Sequence, residues 1–113
     1  MSRLDAITDW PERAARAKFR ISALAVDCGV SERQLRRFIE SKFRSPPHAW
    51  VLEQRLEKGR ELLQQNLRLK EISQRLRFKS QAHFSREFKK HFGRSPRFYL
   101  KEGTLRPPED QRR

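Results

Sequence analysis

The chain has 113 residues, 35% apolar and 36% charged, and its 27 lysines and arginines against 14 acidic residues leave a net formal charge of +13. That length allows one domain or two small subdomains around a thin core, and so strong a positive charge implies a polyanionic partner, with nucleic acid ahead of an anionic membrane surface. No apolar run approaches the ~20 residues of a membrane span, the N-terminus lacks the apolar core of a signal peptide, and the lone cysteine, Cys28, cannot staple the fold, which together exclude a membrane or disulfide-framework protein and point to a cytoplasmic, nucleoid-associated one.

From the N-terminus, Leu4, Ile7, Trp10 and Ala14 keep helical spacing, and Pro11 must kink that helix or begin it. The stretch Ile21 to Phe38 has the pattern of a helix-turn-helix. Leu24, Cys28, Val30, Leu35 and Phe38 are its apolar positions, Ala25 is small where two helices cross, and Gly29 suits a turn that needs positive φ. Ser31 and Gln34 form a capping box that starts the second helix. With Leu35, Phe38 and Ile39 inward, that helix turns Glu32, Arg33, Arg36, Arg37 and Glu40 outward. A solvated surface accounts for any one of these side chains. Grouped after a capped turn, Arg33, Gln34, Arg36 and Arg37 are the types that read guanine or adenine edges, with Ser31 and Arg44 placed for phosphates.

Ser45-Pro46 predicts a capped helix start. A connecting helix then follows over Pro47 to Gln64, with Ala49, Leu52, Leu56 and Leu63 on one stripe. Gly59 lies on the same stripe and permits a close neighbour, at a cost of about 1 kcal/mol relative to Ala. The second unit, Leu69 to Phe88, takes Ile72, Leu76, Phe78, Phe84 and Phe88 as its core. Its turn is one residue longer than the first, since Phe78 to Phe84 spans six positions and Val30 to Leu35 spans five. Gln81, Ala82, Ser85 and Arg86 face outward as base-reading candidates, Ala82 toward a thymine methyl. Lys79, Ser80, His83, Lys89, Lys90 and Arg94 are the phosphate candidates. The segment 103–113, with Pro107-Pro108 and mixed charge, reads as a disordered tail.

The chain also repeats itself. Arg37, Ile39 and Phe43 align with Arg86, Phe88 and Phe92 at an offset of 49, and Ser45-Pro46 aligns with Ser95-Pro96 at 50. Upstream, Leu24-Ala25 and Cys28 correspond to Ile72-Ser73 and Leu76. The reading is an all-α fold of about seven helices. An N-terminal subdomain (1–46) and a C-terminal one (67–102) flank the connecting helix (47–66).

These residues carry a resemblance. Ala25 to Ser31, Leu35 to Phe38 and Ser45-Pro46 resemble the first motif of the AraC/XylS family of bacterial transcription regulators. Ile72, Leu76, Phe78, Ser80-Gln81, Phe84 to Arg86, Phe88 to Lys90, Phe92-Gly93, Ser95-Pro96 and Tyr99 resemble its C-terminal signature. The resemblance covers about residues 10 to 101. It implies a seven-helix DNA-binding domain, both recognition helices in major grooves of double-stranded DNA, and an activator that often touches RNA polymerase. The family's base-contacting positions fall on Arg33, Gln34, Arg36, Arg37, Gln81, Ala82, Ser85 and Arg86. Three departures stand out: Arg77 where the second turn has glycine, Arg20 where a Ser or Thr cap is common, and Pro11 inside the first helix. Most members add a sensor or dimerisation domain, so the segment is expected to act as a monomer, alone or within a larger regulator.

Enzymatic chemistry has no support. His48, His83 and His91 are not at metal-ligand spacing, there is no glycine-rich phosphate loop, and Cys28 takes a core position. No cofactor is implied. The competing classes are a non-specific architectural DNA binder and a helix-turn-helix that holds a protein partner.

Overall fold

The computed structural model describes residues 3–99. A 3-10 turn at Arg3–Ala6 leads into α1 (Trp10–Arg16), α2 (Ile21–Cys28), α3 (Glu32–Phe43), α4 (Pro47–Gln64), α5 (Leu69–Arg75) and α6 (Gln81–Phe92), and a second 3-10 turn follows at Pro96–Tyr99. The all-α class is as expected, with six α-helices and no strand among the described residues. The helix implied after Ser95-Pro96 by its alignment with Ser45-Pro46 is a 3-10 turn, which accounts for six helices against about seven. The expected tail, 103–113, lies outside the described residues.

Proline sets the first boundaries. The helix that the spacing of Leu4 to Ala14 predicts is broken, because Pro11 occupies the first turn of α1. It lacks an N–H and its ring would strike the carbonyl four residues back, so it can begin a helix but not continue one. The start of α4 also differs from expectation. Ser45 does not cap it: Pro46 contributes the carbonyl that accepts the Ala49 and Trp50 N–H groups, and Pro47 is the first helical residue. A residue before proline is pushed out of the α region, so Pro46 stays outside the helix and Pro47 enters it. Ser45 Oγ instead leans on the Pro46 carbonyl at 3.4 Å.

By their packing the residues fall into two compact units, with the boundary between Arg55 and Leu56. In the first, Leu24, Ala25 and Cys28 of α2 and Leu35 and Ile39 of α3 are buried with Trp10, Ala14 and Trp50. Trp10 stacks on Phe38 at 5.7 Å and meets Trp50 edge-on at 5.7 Å, and Phe43 stacks on Trp50 at 5.3 Å. Salt bridges clamp α1 to α2: Asp27 accepts from Arg13 at 3.0 Å and from Arg16 at 3.2 Å. α2 starts at Arg20 with no side-chain cap, as its sequence predicts. It ends in a Schellman turn, where Gly29 at φ 73° sends its N–H to Val26 and Val30 bonds back to Ala25.

In the second unit, Leu56, Leu62 and Leu63 of α4 pack with Ile72, Leu76, Phe78, Phe84 and Phe88, all buried. The aromatic rings form a run, with Phe78–Phe84 at 5.2 Å, Phe84–Phe88 at 5.5 Å and Phe88–Phe92 at 4.5 Å. Gly59 serves the close approach its place on the stripe predicts: a Cβ there would lie 2.8 Å from Phe84 Cε1 and 3.1 Å from Leu76 Cδ1. Ser73, the counterpart of Ala25, is buried and donates its hydroxyl to the Lys70 carbonyl at 3.0 Å. The turn after α5 repeats the one after α2. Arg77 bonds to Gln74, Phe78 bonds to Ser73, and Arg77 sits at φ 67° where the first unit has glycine.

Candidate nucleic-acid interface

Each unit presents one capped helix with its apolar side inward and its polar side exposed. Ser31 is extended, its Oγ accepts from the Gln34 N–H at 3.1 Å, and Gln34 Oε1 accepts from the Ser31 N–H at 2.9 Å. This is the capping box expected from the sequence. Leu35 and Ile39 are fully buried, so Arg33, Gln34, Arg36 and Arg37 emerge together on the exposed side of α3. Arg36 pairs with Glu32 at 3.6 Å, while Arg33 and Arg37 have no acidic partner among the described residues. Beside them, an open groove is lined by Leu4, Asp5, Gln34, Arg37, Phe38, Ser41, Lys42 and Arg44.

α6 starts differently. Ser80 Oγ accepts from the His83 N–H at 3.0 Å, but the residue at that third position is histidine and returns no bond. Gln81, Ala82 and Arg86 are exposed and Ser85 is half-buried, on the side away from the fully buried Phe84 and Phe88. Of the phosphate candidates, Lys79, Ser80, Lys89, Lys90 and Arg94 are exposed. Lys90 lies 3.7 Å from Glu87, and the Arg94 guanidinium stacks over Phe98 at 4.5 Å. His83 is drawn partly inward: its ring meets Phe78 edge-on at 5.4 Å, and its Nδ1 is buried without a hydrogen-bond partner.

A family model described as a helix-turn-helix domain matches residues 24–102. The chain also superposes, with a TM-score of 0.67 and 29% identity, on the crystal structure of a Chromobacterium violaceum transcriptional regulator described as containing an AraC-type DNA-binding domain; the match covers 85% of this chain and 91% of that one. The chain belongs to the AraC-type helix-turn-helix family. This AraC-type domain is likewise similar to the C-terminal domain of the two-component response regulator yesN from Fusobacterium nucleatum, with a TM-score of 0.63 and 25% identity over 87% of this chain and 97% of that one. It is 33% identical over 98 residues to the HTH-type transcriptional regulator MtrA of Neisseria gonorrhoeae. It is 33% identical over 87 residues to the transcriptional activator NphR of a Rhodococcus species. Those alignments cover 86% and 76% of this chain but 31% and 26% of the relatives, so the AraC-type domain spans under a third of their length. The relatives are regulators, and the chain is not an enzyme.

The α3 candidates thus sit together on one helix of the AraC-type domain, and the α6 candidates on another. Sequence reasoning missed Ser41 and Lys42 on the rim of the groove, and also the neutralising Glu32–Arg36 pair, which their four-residue spacing signals. It missed that Arg44, offered for phosphate, takes the left-handed conformation at φ 56° that ends α3. Among the described residues no cluster of His, Cys, Asp and Glu could hold a metal ion, and no helix is long and apolar enough to cross a membrane. Burial pushes the Cys28 thiol up, the opposite of what a nucleophile requires.

Proposed function

We propose that this AraC-type domain reads double-stranded DNA sequence-specifically as part of a transcription activator that touches RNA polymerase. The observation that carries the reading is the pair of N-capped helices, α3 and α6, each buried on one side and exposing arginine and glutamine on the other. Arg33, Gln34, Arg36, Arg37, Gln81, Ala82, Ser85 and Arg86 read base edges. Ser31, Arg44, Lys79, Ser80, His83, Lys89, Lys90 and Arg94 hold phosphates. The division into subdomains at 1–46 and 67–102, joined by 47–66, gives each its own recognition helix. Because those helices differ in sequence, a single chain acts as a monomer on two unlike half-sites, and its target need not be palindromic. That NphR is a transcriptional activator supports the sign of regulation.

Selection from a random duplex library tests this reading. The expected motif is asymmetric, with two segments about one helical turn apart, bound at least ~10³-fold more tightly than scrambled DNA at physiological salt. If about six phosphates are neutralised, log K falls against log salt with a slope near −5. Arg37→Ala and Arg86→Ala each relax the preference at one base position by about 1–3 kcal/mol. A slope near zero would sink DNA binding itself. Tight, salt-sensitive binding to every duplex alike would make the chain an architectural binder.

A further inference from the structure

We propose that α3 offers DNA bases mainly hydrogen-bond donors and so favours a guanine-bearing half-site, whereas α6 reads a segment of mixed base pairs. The inference rests on the DNA-reading function above and adds the class of half-site each helix takes.

The decisive group is the Gln34 amide. An amide reads adenine with both ends, its oxygen accepting from N6–H and its nitrogen donating to N7. In α3 one lone pair of that oxygen is committed, since Oε1 accepts the Ser31 N–H at 2.9 Å, which ties the oxygen to the helix start. That N–H belongs to the helix start, where backbone donors have no partner within the helix, and swinging the amide toward DNA would abandon it. While that bond is kept, the oxygen stays at the helix start and the amide nitrogen keeps its two N–H donors.

Its neighbours are donors as well. Arg33 and Arg37 are exposed and free of acidic partners among the described residues, and an arginine has no acceptor. The one carboxylate in the first turn of α3, Glu32, lies 3.6 Å from Arg36, which draws it toward that cation. Glu40 lies toward the far end of the helix, and it is the N-terminal part that meets base edges. Guanine alone presents two acceptors, N7 and O6, on one major-groove edge, and this is the pair an arginine fork grips. Adenine offers N7 alone as an acceptor beside its N6 donor, thymine offers O4 alone, and cytosine only a donor, so such a surface pairs each of them less completely than guanine.

α6 lacks this constraint. His83 stands where Gln34 stands in α3, and no side chain returns to the Ser80 N–H. Gln81 is exposed and its amide makes no hydrogen bond among the described residues, so both of its ends are free for adenine. Ala82 exposes a methyl group that fits against thymine, and Arg86 adds a guanine reader.

The test repeats the random-duplex selection with the full chain and three variants. Arg33→Ala and Arg37→Ala identify the base pairs that depend on α3. Gln34→Glu keeps the return arm to Ser31 but replaces the amide donors with a carboxylate acceptor. Because the added negative charge weakens binding to every duplex, the readout is the ratio of affinities between the selected duplex and its single-base variants. The expected result is G·C pairs at the positions lost in Arg33→Ala and Arg37→Ala. In Gln34→Glu the preference at one position falls about tenfold, with cytosine gaining on the contacted strand. A·T pairs at the α3-dependent positions, or a Gln34→Glu profile identical to the parent at every base, would overturn the proposal while leaving DNA reading intact. No enrichment by the parent chain would overturn DNA reading, and this proposal with it. Should Gln34→Glu fail to fold, the Arg33→Ala and Arg37→Ala profiles decide alone, since both residues are exposed.

Discussion

Arg77 and Arg44 occupy backbone conformations that suit glycine, at φ 67° and φ 56°. Each has a glycine counterpart in the other unit, Gly29 at φ 73° for Arg77 and Gly93 at φ 81° for Arg44. A left-handed conformation costs an L-residue about 1–2 kcal/mol, and glycine gives part of that back through its looser unfolded chain. Arg77→Gly is therefore expected to stabilise the domain by about 0.5–1 kcal/mol in urea denaturation. An unchanged or lower stability would mean that the interactions of the Arg77 side chain outweigh the strain. Arg77 was legible through the resemblance, because the family's second turn has glycine at that place. Arg44 was not, because the offset changes from 49 to 50 between Phe92 and Ser95 and hides Gly93 as its counterpart.

At the scale of the helix, α4 shows both how far periodicity reaches and where it stops. Its limits, Pro47 and Gln64, follow from the proline at its start and the leucine stripe along it. Gly59 was legible on that stripe, and its role yields a sharp expectation. Alanine is the better helix former by about 1 kcal/mol, yet the added methyl would meet the edge of the Phe84 ring at 2.8 Å. Phe84 is fully buried between Phe78 and Phe88 and has little room to yield. Overpacking of this kind costs about 1–3 kcal/mol, so Gly59→Ala is expected to lower the denaturation midpoint. A rise would show that the ring can swing aside. Trp50 escaped the sequence reading although it is almost wholly buried. At 3.6 residues per turn it lies about 120° around the helix from Leu56, so no single stripe includes both. The partial withdrawal of His83 was hidden for a different reason. It depends on the ring of Phe78 across the turn, and a helix pattern is blind to such a neighbour.

Over the whole molecule, the excess of cations was plain in the composition, but the few acidic residues that matter to the fold were not. Asp27 meets Arg13 and Arg16 across 14 and 11 residues, a contact made only once α1 and α2 cross. Hydrogen bonding from Arg16, with help from Arg13, holds the Asp27 carboxyl below its ordinary value, and Arg13 does the same for Asp9. A carboxyl with a lowered folded-state pKa stabilises above its unfolded value of about 3.9, and that contribution is lost as pH falls through the folded value. Asp27→Asn is therefore expected to lower the thermal midpoint at neutral pH, with the gap to the parent closing as pH falls below the ordinary carboxylate range. A gap that persists in acid would assign the effect to packing rather than charge. The scarcity of sulfur has its own consequence. The chain's single thiol, Cys28, is buried in the first unit, and the second unit has none. A thiol-directed reagent can find it only while α2 is lifted from its neighbours, so the molecule carries a native chemical clock for the opening of one half, with the other half silent in the same flask.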